Sequence, residues 1–384
     1  MSDNNELEKH NFDKMELKEN ILRGIYSYGF EFPSVIQIKA IPLMKKSIDI
    51  IAQSQSGTGK TGAFVIGTLE RVDEKVDGCQ AIIVAHTREL AQQIYNVASQ
   101  IGLYTKIKIV LCVGGQDIKQ TRTELSMGPI VVIATPGRLL DLIRKRFLAT
   151  RLVRLLVLDE ADEMLSESFQ EQVRTIITYI SEVTQICLFS ATMPERMLKL
   201  TNNFMRDPQK ILIDREKLTL DGIKQFYVQV DNELWKFETF CDLFDLISVS
   251  QTMVYVNTVK KAEELKRNLE EKNFTVSIIH SYMSPVERHD IMKEFRSAKT
   301  RILVSTDLLS RGIDIQAVSI VVNYDLPRDK ECYLHRIGRS GRFGRKGVAI
   351  NFITKYDERG LKELEEYYQT QIEAMPTNIQ QFLS

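Results

Sequence analysis

Two carboxylates at the end of an apolar run are the first residues of this chain that could do chemistry. Residues 159–162 read Asp-Glu-Ala-Asp and directly follow the apolar stretch 155–158. A short apolar run predicts a buried strand of a parallel sheet, which places the acidic groups at the edge of that sheet. Adjacent carboxylates repel each other unless a cation lies beside them. The tetrad therefore predicts a metal site, although acidic runs more commonly cap helices or face water.

A loop of small residues could supply the phosphates that such a metal would accompany. Residues 52–61 read AQSQSGTGKT, between the apolar run 48–51 and the helix-like stretch 62–71. Small residues let backbone N–H groups turn inward around an anion, and a helix N-terminus adds positive potential. The loop opens with Ser54, where the standard pattern has glycine. The residues expected to bind the nucleotide phosphates are Ser56, Gly57, Thr58, Gly59, Lys60 and Thr61.

Loop and tetrad together predict a P-loop site that hydrolyses a nucleoside triphosphate. Lys60 is expected to place its ammonium on the outer phosphates, and Thr61 and Asp159 are expected to hold Mg²⁺. Glu160 is then expected to orient and polarise the attacking water. A chance glycine-rich helix start is the alternative for the loop, and the strand–loop–helix context speaks against it.

A dense cluster of arginines lies near the end of the chain. Residues 335–342 read His-Arg-Ile-Gly-Arg-Ser-Gly-Arg, with an arginine at every third position from 336. Guanidinium groups match phosphate oxygens bidentately, and charge spreading over the γ-phosphoryl group in the transition state needs such a donor. We therefore expect Arg339 and Arg342 to reach the nucleotide across a cleft, so that hydrolysis waits for closure. A solvated basic helix end is the commoner role of such a cluster.

The arrangement of apolar runs predicts an α/β fold in two domains. Short runs alternate with helix-like stretches, which indicates parallel sheets covered by helices on both faces. A polar stretch without a strong period separates two sets of runs, and it predicts domains over 1–213 and 223–384 with a linker over 214–222. The predicted strands are 48–51, 81–85, 110–113, 131–134, 155–158 and 186–189 in the first half, and 253–256, 276–280, 302–305, 320–323 and 348–353 in the second.

Composition indicates an ordinary globular protein. Hydrophobic residues make up 43% and charged residues 27%, and the formal net charge is zero, so any site for a polyanion must be a local patch. The five cysteines are scattered, and Cys112 and Cys187, which lie within apolar runs, are typical of reduced core residues of an intracellular protein. No apolar stretch approaches the roughly 20 residues that span a bilayer. We expect no membrane association and a location in the cytoplasm, with the nucleus as the alternative.

The phosphate loop, residues 159–162, the Ser190-Ala191-Thr192 triplet and the block 335–342 resemble the DEAD-box RNA helicases of superfamily 2. The resemblance runs from about Phe12 to the C-terminus, and it is greatest to the translation initiation factor 4A branch with its exon-junction and ribosome-biogenesis relatives. It implies two tandem RecA-like domains of the P-loop NTPase fold. It also implies an RNA-stimulated ATPase that uses ATP and Mg²⁺, closes two domains on single-stranded RNA and locally unwinds duplexes.

The same resemblance assigns further residues. It implies that Gln37 reads the adenine edge and that Phe12 stacks on adenine, with core packing as the alternative for Phe12. It places Asp314 on the ribose. Coupling between the domains falls to Asp162, Ser190, Thr192 and His335, with a turn or helix cap as the alternative for Ser190 and Thr192. The RNA-binding residues that it implies are Thr87, Arg88, Gly114, Gly115, Thr135, Pro136, Gly137, Arg138, Asn257, Thr258, Ser305 and Thr306.

Two departures and two rival functions remain open at this point. His86 stands where the family usually has proline, and Pro285 stands where it usually has glutamine, so the coupling between RNA and ATP could be altered. A DNA-directed superfamily 2 motor is one rival, because phosphate contacts serve both polymers and only the 2′-OH discriminates. An ATP-gated RNA clamp or assembly scaffold with slow turnover is the other. We expect a monomer regulated by a helical-repeat scaffold protein.

Overall fold

The computed structural model describes residues 11–54, 57–212, 223–247, 251–307, 318–340 and 347–382. The chain forms two compact units; the first comprises residues up to Ser54 and from Thr58 to Ile213, and the second runs from Asp214 to Ser384. The linker expected at 214–222 lies outside the described residues.

The first unit is built on a sheet of seven parallel strands. In chain order they are β1 (Ile50–Gln53), β2 (Ala81–Val84), β3 (Ile109–Cys112), β4 (Val131–Ala134), β5 (Leu155–Asp159), β6 (Gln185–Ser190) and β7 (Gln209–Ile211), and the sheet order is β3-β4-β2-β5-β6-β1-β7. After a short 3₁₀ turn (Phe12–Met15), its helices are α1 (Glu19–Tyr28), α2 (Val35–Lys45), α3 (Lys60–Arg71), α4 (Arg88–Ile101), α5 (Ile118–Ser126), α6 (Pro136–Arg144), α7 (Ala161–Met164), α8 (Gln170–Thr178) and α9 (Glu195–Thr201).

Strand β5 shows how this sheet is covered on both faces. Leu155 and Val157 belong to the hydrophobic cluster that contains helices α1 to α4. Leu156 and Leu158 belong to the opposite cluster, which contains residues of α5 to α9. Because successive side chains of a strand point to opposite faces, a strand buried on both sides must be apolar at every position. This is the physical reason why the central strands were predictable as continuous apolar runs.

The second unit repeats the architecture. Its strands are β8 (Ile223–Gln229), β9 (Gln251–Tyr255), β10 (Val276–Ile279), β11 (Ile302–Ser305), β12 (Val318–Asn323), β13 (Gly347–Ile353) and β14 (Glu373–Ala374), in the parallel order β10-β11-β9-β12-β13-β8-β14. Its helices are α10 (Trp235–Leu246), α11 (Val259–Glu271), α12 (Pro285–Arg296), α13 (Lys330–Ile337) and α14 (Glu358–Tyr368), followed by a 3₁₀ turn (Ile379–Phe382).

The predicted fold class is confirmed by two parallel sheets with helices on both faces. Three strands were missed, β7, β8 and β14, and all lie toward an edge of their sheet. In strand β8 only Ile223 and Phe226 are buried, and polar residues interrupt the run, so it lacks the continuous apolar pattern of a central strand. The first predicted strand was also placed two residues early, because Ile48 precedes β1 and its carbonyl accepts a hydrogen bond from the Gln185 side chain at 2.6 Å.

Candidate nucleotide and RNA sites

The phosphate loop lies between β1 and α3. Gly57 and Gly59 have φ angles of 80° and 96°, a left-handed conformation that glycine adopts without strain. Helix α3 then begins at Lys60, whose Nζ donates to the Ser54 carbonyl at 2.7 Å. The Ser54 hydroxyl lies 2.5 Å from the Thr58 hydroxyl, so the serine that departs from the standard pattern closes the loop by a side-chain hydrogen bond. Ser56 lies outside the described residues.

Gln37 joins the segment around helix α2 to this loop. Its amide nitrogen donates to the Gly59 carbonyl at 3.2 Å, and its amide oxygen accepts from the Ser34 N–H at 2.8 Å. A Cβ at Gly62 would lie 2.6 Å from the Gln37 nitrogen, so glycine is required where helix α3 passes this side chain. Gln37 thus holds the loop in place, and its contact with adenine stays a prediction.

Phe12 lies in the core, as the packing alternative predicted. Its side chain is 0% exposed and belongs to the cluster under helices α1 to α4. The ring stacks on Phe30 with centroids 6.4 Å apart and meets Tyr26 edge-on at 6.3 Å. Burial of the ring satisfies the aromatic position without a ligand, and the adenine-stacking role of Phe12 stays a prediction.

Asp159 and Glu160 form a buried acidic pair at the end of β5. Each is 3% exposed, and the Asp159 carboxylate accepts from the Glu160 N–H at 3.0 Å. Burial raises the pKa of Asp159 to about 7, the neighbouring Glu160 contributes in the same direction, and Lys60 opposes both. A cation would relieve this repulsion, and a threonine hydroxyl with a carboxylate is a donor set of the kind Mg²⁺ takes. The residues present therefore fit Mg²⁺, which Thr61 and Asp159 would hold.

Glu160 has an unusual backbone conformation. Its φ and ψ are 47° and 56°, in the left-handed region, and it directly precedes the four-residue helix α7. A non-glycine residue in this region costs about 1–2 kcal/mol. The turn places Glu160 one residue beyond the strand end and directs the chain into α7, which carries Asp162.

Asp162 is hydrogen-bonded to the triplet that follows β6. Its Oδ1 accepts from the Ser190 hydroxyl and its Oδ2 from the Thr192 hydroxyl, both at 2.7 Å. Ser190 is fully buried, and its oxygen also accepts from the Thr192 N–H at 3.2 Å. The structure thus brings Asp162 next to two residues that lie 28 and 30 positions further along the chain. These hydrogen bonds join the acidic tetrad to the loop after β6, and the coupling role stays a prediction.

Removing these hydroxyls is expected to destabilise the first unit. A hydrogen bond to a charged group contributes about 1.5–3 kcal/mol, so Ser190→Ala and Thr192→Ala should each lower the free energy of unfolding by about that amount. Because both hydroxyls donate to one carboxylate, the loss in free energy of unfolding for the double variant should differ from the sum of the two single losses. Urea denaturation followed by circular dichroism measures these values. Thr192→Ser keeps the hydroxyl and should retain most of the stability, and a loss equal to that of Thr192→Ala would contradict the assignment.

The expected RNA-binding residues of the first unit lie at the carboxyl ends of three adjacent strands. Cys112, Ala134 and Val84 pair across β3, β4 and β2, so the turns that follow open side by side. A Cβ at Gly114 would lie 3.0 Å from the Arg88 guanidinium, and Gly115 has a φ of 86°. Thr87 caps α4, Pro136 opens α6 ahead of Gly137, and Arg138 donates to the Gln116 carbonyl at 2.9 Å.

The second unit carries the remaining expected RNA contacts and one residue that the sequence analysis missed. Arg336 is 0% exposed on α13, and its guanidinium donates to the side chains of Asp307, Asn323 and Asn257 and to the Asp325 carbonyl, at 2.6 to 3.3 Å. Burial alone would lower the pKa of Arg336, but the hydrogen bond and charge of Asp307 raise it. One buried cation therefore ties together the ends of β9, β11 and β12.

This arrangement fixes the turns at the carboxyl edge of the second sheet. The Asn257 N–H donates to the Asp325 carboxylate at 2.9 Å, and Thr258 caps α11 by accepting from the Lys261 N–H. The Ser305 hydroxyl donates to the Thr306 carbonyl at 2.7 Å. Lys236 adds a buried contact from α10, since its Nζ lies 3.7 Å from the Asp325 carboxylate. The RNA role of these turns stays a prediction.

The other sequence assignments of this unit are described in part. His335 lies in the last turn of α13, and its carbonyl accepts from the Arg339 guanidinium at 3.1 Å. Asp314 and Arg342 lie outside the described residues. Helix α12 begins at Pro285, where proline is favoured, and a reciprocal capping box joins Ser284 and Glu287. His86, the other departure, lies two residues beyond the end of β2.

Comparison with known proteins decides the family. Residues 34–200 match the DEAD/DEAH box helicase model, and residues 235–344 match the helicase conserved C-terminal domain. A protein named ATP-dependent RNA helicase eIF4A from Neosartorya fischeri is 52% identical over 368 residues, which cover 96% of this chain and 92% of the relative. The chain belongs to the DEAD-box helicase family. The resemblance seen in its motifs is thereby confirmed.

Solved structures agree with this membership. Dbp5 of S. cerevisiae, bound to RNA and ADP–BeF₃, superposes on this DEAD-box protein with a TM-score of 0.92 and 35% identity, covering 97% of the chain and all of Dbp5. A point variant of Dbp5 bound to a variant of Gle1 and to IP6 has a TM-score of 0.77 and the same identity, covering 96% of the chain and 95% of that protein. Within the residues that the structure describes, no helix is both long and apolar enough to cross a membrane.

Proposed function

We propose that this DEAD-box protein is an ATP-dependent RNA helicase whose ATP hydrolysis is stimulated by single-stranded RNA. One observation carries the proposal: the carboxyl edge of the first sheet carries two separate groups of candidate residues. The turns after β3, β4 and β2 carry the expected RNA-binding residues, and the ends of β5, β6 and β1 carry the acidic tetrad, its hydroxyl partners and the phosphate loop. Open α/β sheets bind ligands at this edge, which supports two neighbouring sites along it.

The residues of the nucleotide half have separate roles in this proposal. The loop N–H groups and Lys60 bind the phosphates, and Glu160 orients the attacking water and receives its proton. Mg²⁺, when held by Thr61 and Asp159, would neutralise charge on the phosphate oxygens. Arg339 and Arg342 would add positive charge to the γ-phosphoryl group once the domains close, so that hydrolysis depends on both halves of the chain.

The RNA half would bind the sugar–phosphate backbone and ignore base identity, since hydroxyls, amides and backbone N–H groups contact phosphates and sugars. Closure on one strand would bend it and displace the complementary strand locally.

We further propose that a helical-repeat scaffold protein regulates the enzyme, that the enzyme acts as a monomer, and that it works in the cytoplasm. The solved complex of Dbp5 with Gle1 supports the binding of a partner protein.

Matched RNA and DNA oligonucleotides test this function. With saturating Mg–ATP, single-stranded RNA should raise the rate of phosphate release strongly, and DNA of the same sequence should raise it little, because recognition depends on the 2′-OH. Lys60→Ala should abolish the stimulated rate, and Lys199→Ala, an exposed lysine on α9, should leave it unchanged. Equal stimulation by RNA and DNA would contradict the proposal and favour a DNA-directed motor.

A further inference from the structure

Tyr282 is an exposed aromatic residue that none of the predicted sites includes. It lies in the turn between β10 and α12, and its side chain is 84% exposed. Val286, in the first turn of α12, is 69% exposed and continues the apolar surface. Single exposed apolar residues are common, so exposure by itself decides nothing. The position of the ring in the sheet decides what it can contact.

The turn that carries Tyr282 opens at the expected RNA-binding edge of the second sheet. Ile279, the last residue of β10, pairs with Ser305 of β11, and Ser305 pairs with Tyr255 of β9. All three strands are parallel, so the chain leaves them on the same side. Neighbouring strands are about 5 Å apart, which places the Tyr282 turn next to the Ser305–Thr306 turn and two strands away from the Asn257 turn.

The Tyr282 ring contacts a buried histidine ring and is otherwise exposed to solvent. It meets His280 edge-on, with centroids 6.2 Å apart and an interplanar angle of 70°, and His280 itself is only 6% exposed. The capping box of α12 fixes the other end of the turn, because the Ser284 N–H donates to the Glu287 carboxylate at 2.7 Å. A ring that contacts His280 and keeps most of its surface in solvent can stack on a flat apolar ligand.

We propose that Tyr282 stacks on a base of the RNA strand that passes over the second sheet. The inference rests on the proposed RNA-binding function and adds a base contact to a site otherwise expected to bind the backbone. Every base presents a π-face, so such a contact tolerates sequence changes while still requiring that a base be present. The ligand of this subsite is therefore a nucleobase, at the strand position that lies over β10.

Affinity measurements test the contact first. Fluorescence anisotropy with a labelled single-stranded RNA and ADP–beryllium fluoride should show about five-fold weaker binding by Tyr282→Ala. Tyr282→Phe keeps the ring and should bind like the unmodified protein. Tyr179→Ala is the matched control, because Tyr179 is a 42% exposed tyrosine that follows helix α8 in the first unit, ahead of β6 and so away from the RNA-binding edge. Unchanged affinity of Tyr282→Ala would overturn the inference.

A set of oligonucleotides with one abasic position each then separates stacking from a structural effect. At a single position, loss of the base should weaken binding by the unmodified protein about five-fold. The same loss should not weaken RNA binding by Tyr282→Ala any further. An equal penalty for both proteins at every position would overturn the stacking contact. If the unmodified protein showed no nucleotide-dependent RNA binding, the proposed function would fail, whereas normal binding with no effect of Tyr282→Ala defeats only this inference.

Discussion

Glu160→Gln is expected to lower RNA-stimulated ATP hydrolysis by about 10²- to 10⁴-fold, the usual contribution of a positioned general base. Glutamine keeps the size of the side chain and one carbonyl oxygen, but it cannot take a proton from the attacking water. The backbone turn that places residue 160 beyond β5 should persist, and Lys60 and the loop glycines are unchanged. Nucleotide and RNA affinity should therefore stay close to normal while turnover falls.

Steady-state phosphate release at saturating RNA and Mg–ATP measures the loss, and binding of a fluorescent ATP analogue measures the retained affinity. Glu195→Gln is the matched control, because Glu195 is 79% exposed on α9 in the same unit and forms an ion pair with Lys199 within its helix. That variant should hydrolyse ATP normally. Full RNA-stimulated turnover by Glu160→Gln would show that another group handles the water.

Arg336→Ala is expected to destabilise the second unit by about 3–5 kcal/mol, the range for removing one member of a buried charged network. The substitution leaves the side-chain oxygens of Asn257 and Asn323 and the Asp325 carbonyl without their guanidinium donor. Asp307 is 47% exposed and can regain water, so its share of the loss should be smaller. Because Asn257 is an expected RNA-binding residue, RNA affinity should fall as well.

Chemical denaturation followed by tryptophan fluorescence measures this effect in the right unit, since Trp235 is the chain's single tryptophan and opens α10. Arg336→Lys keeps the charge without the planar fork, and it should recover only part of the stability. The control is Arg359→Ala, whose guanidinium is 91% exposed, and its unfolding free energy should change by less than about 0.5 kcal/mol. A similarly small change for Arg336→Ala would contradict the role of Arg336 as the tie between three strand ends.

The strands were predictable where burial on both faces produces a continuous apolar run in the sequence. Strands β4 and β11 were predicted with their observed bounds, because both of their faces are covered and nearly every position is apolar. Strand β8 was missed since lysine and two glutamines interrupt its apolar residues beside the sheet edge. Short edge strands such as β14, with two exposed residues, leave almost no pattern to find.

The site was predictable where one short segment contains the chemistry, as in the phosphate loop and the acidic tetrad. It was not predictable where function depends on partners distant in sequence. Arg336 belongs to the arginine block, but its neighbours Asn257 and Asp307 are 79 and 29 positions away, and only the fold shows that it is buried with them. The sequence alone does not decide the role of Phe12, because an aromatic residue fits a core as well as a ligand site.

The backbone of Glu160 has a consequence for protein engineering. Its left-handed conformation suits glycine or asparagine better than glutamate, so the residue proposed to orient the attacking water is not the residue that the turn prefers. Under that proposed role, stability and turnover make opposite demands at a single position. A thermostable form of this enzyme would then have to gain its stability elsewhere, since relief of strain at residue 160 would remove the carboxylate proposed to act in ATP hydrolysis.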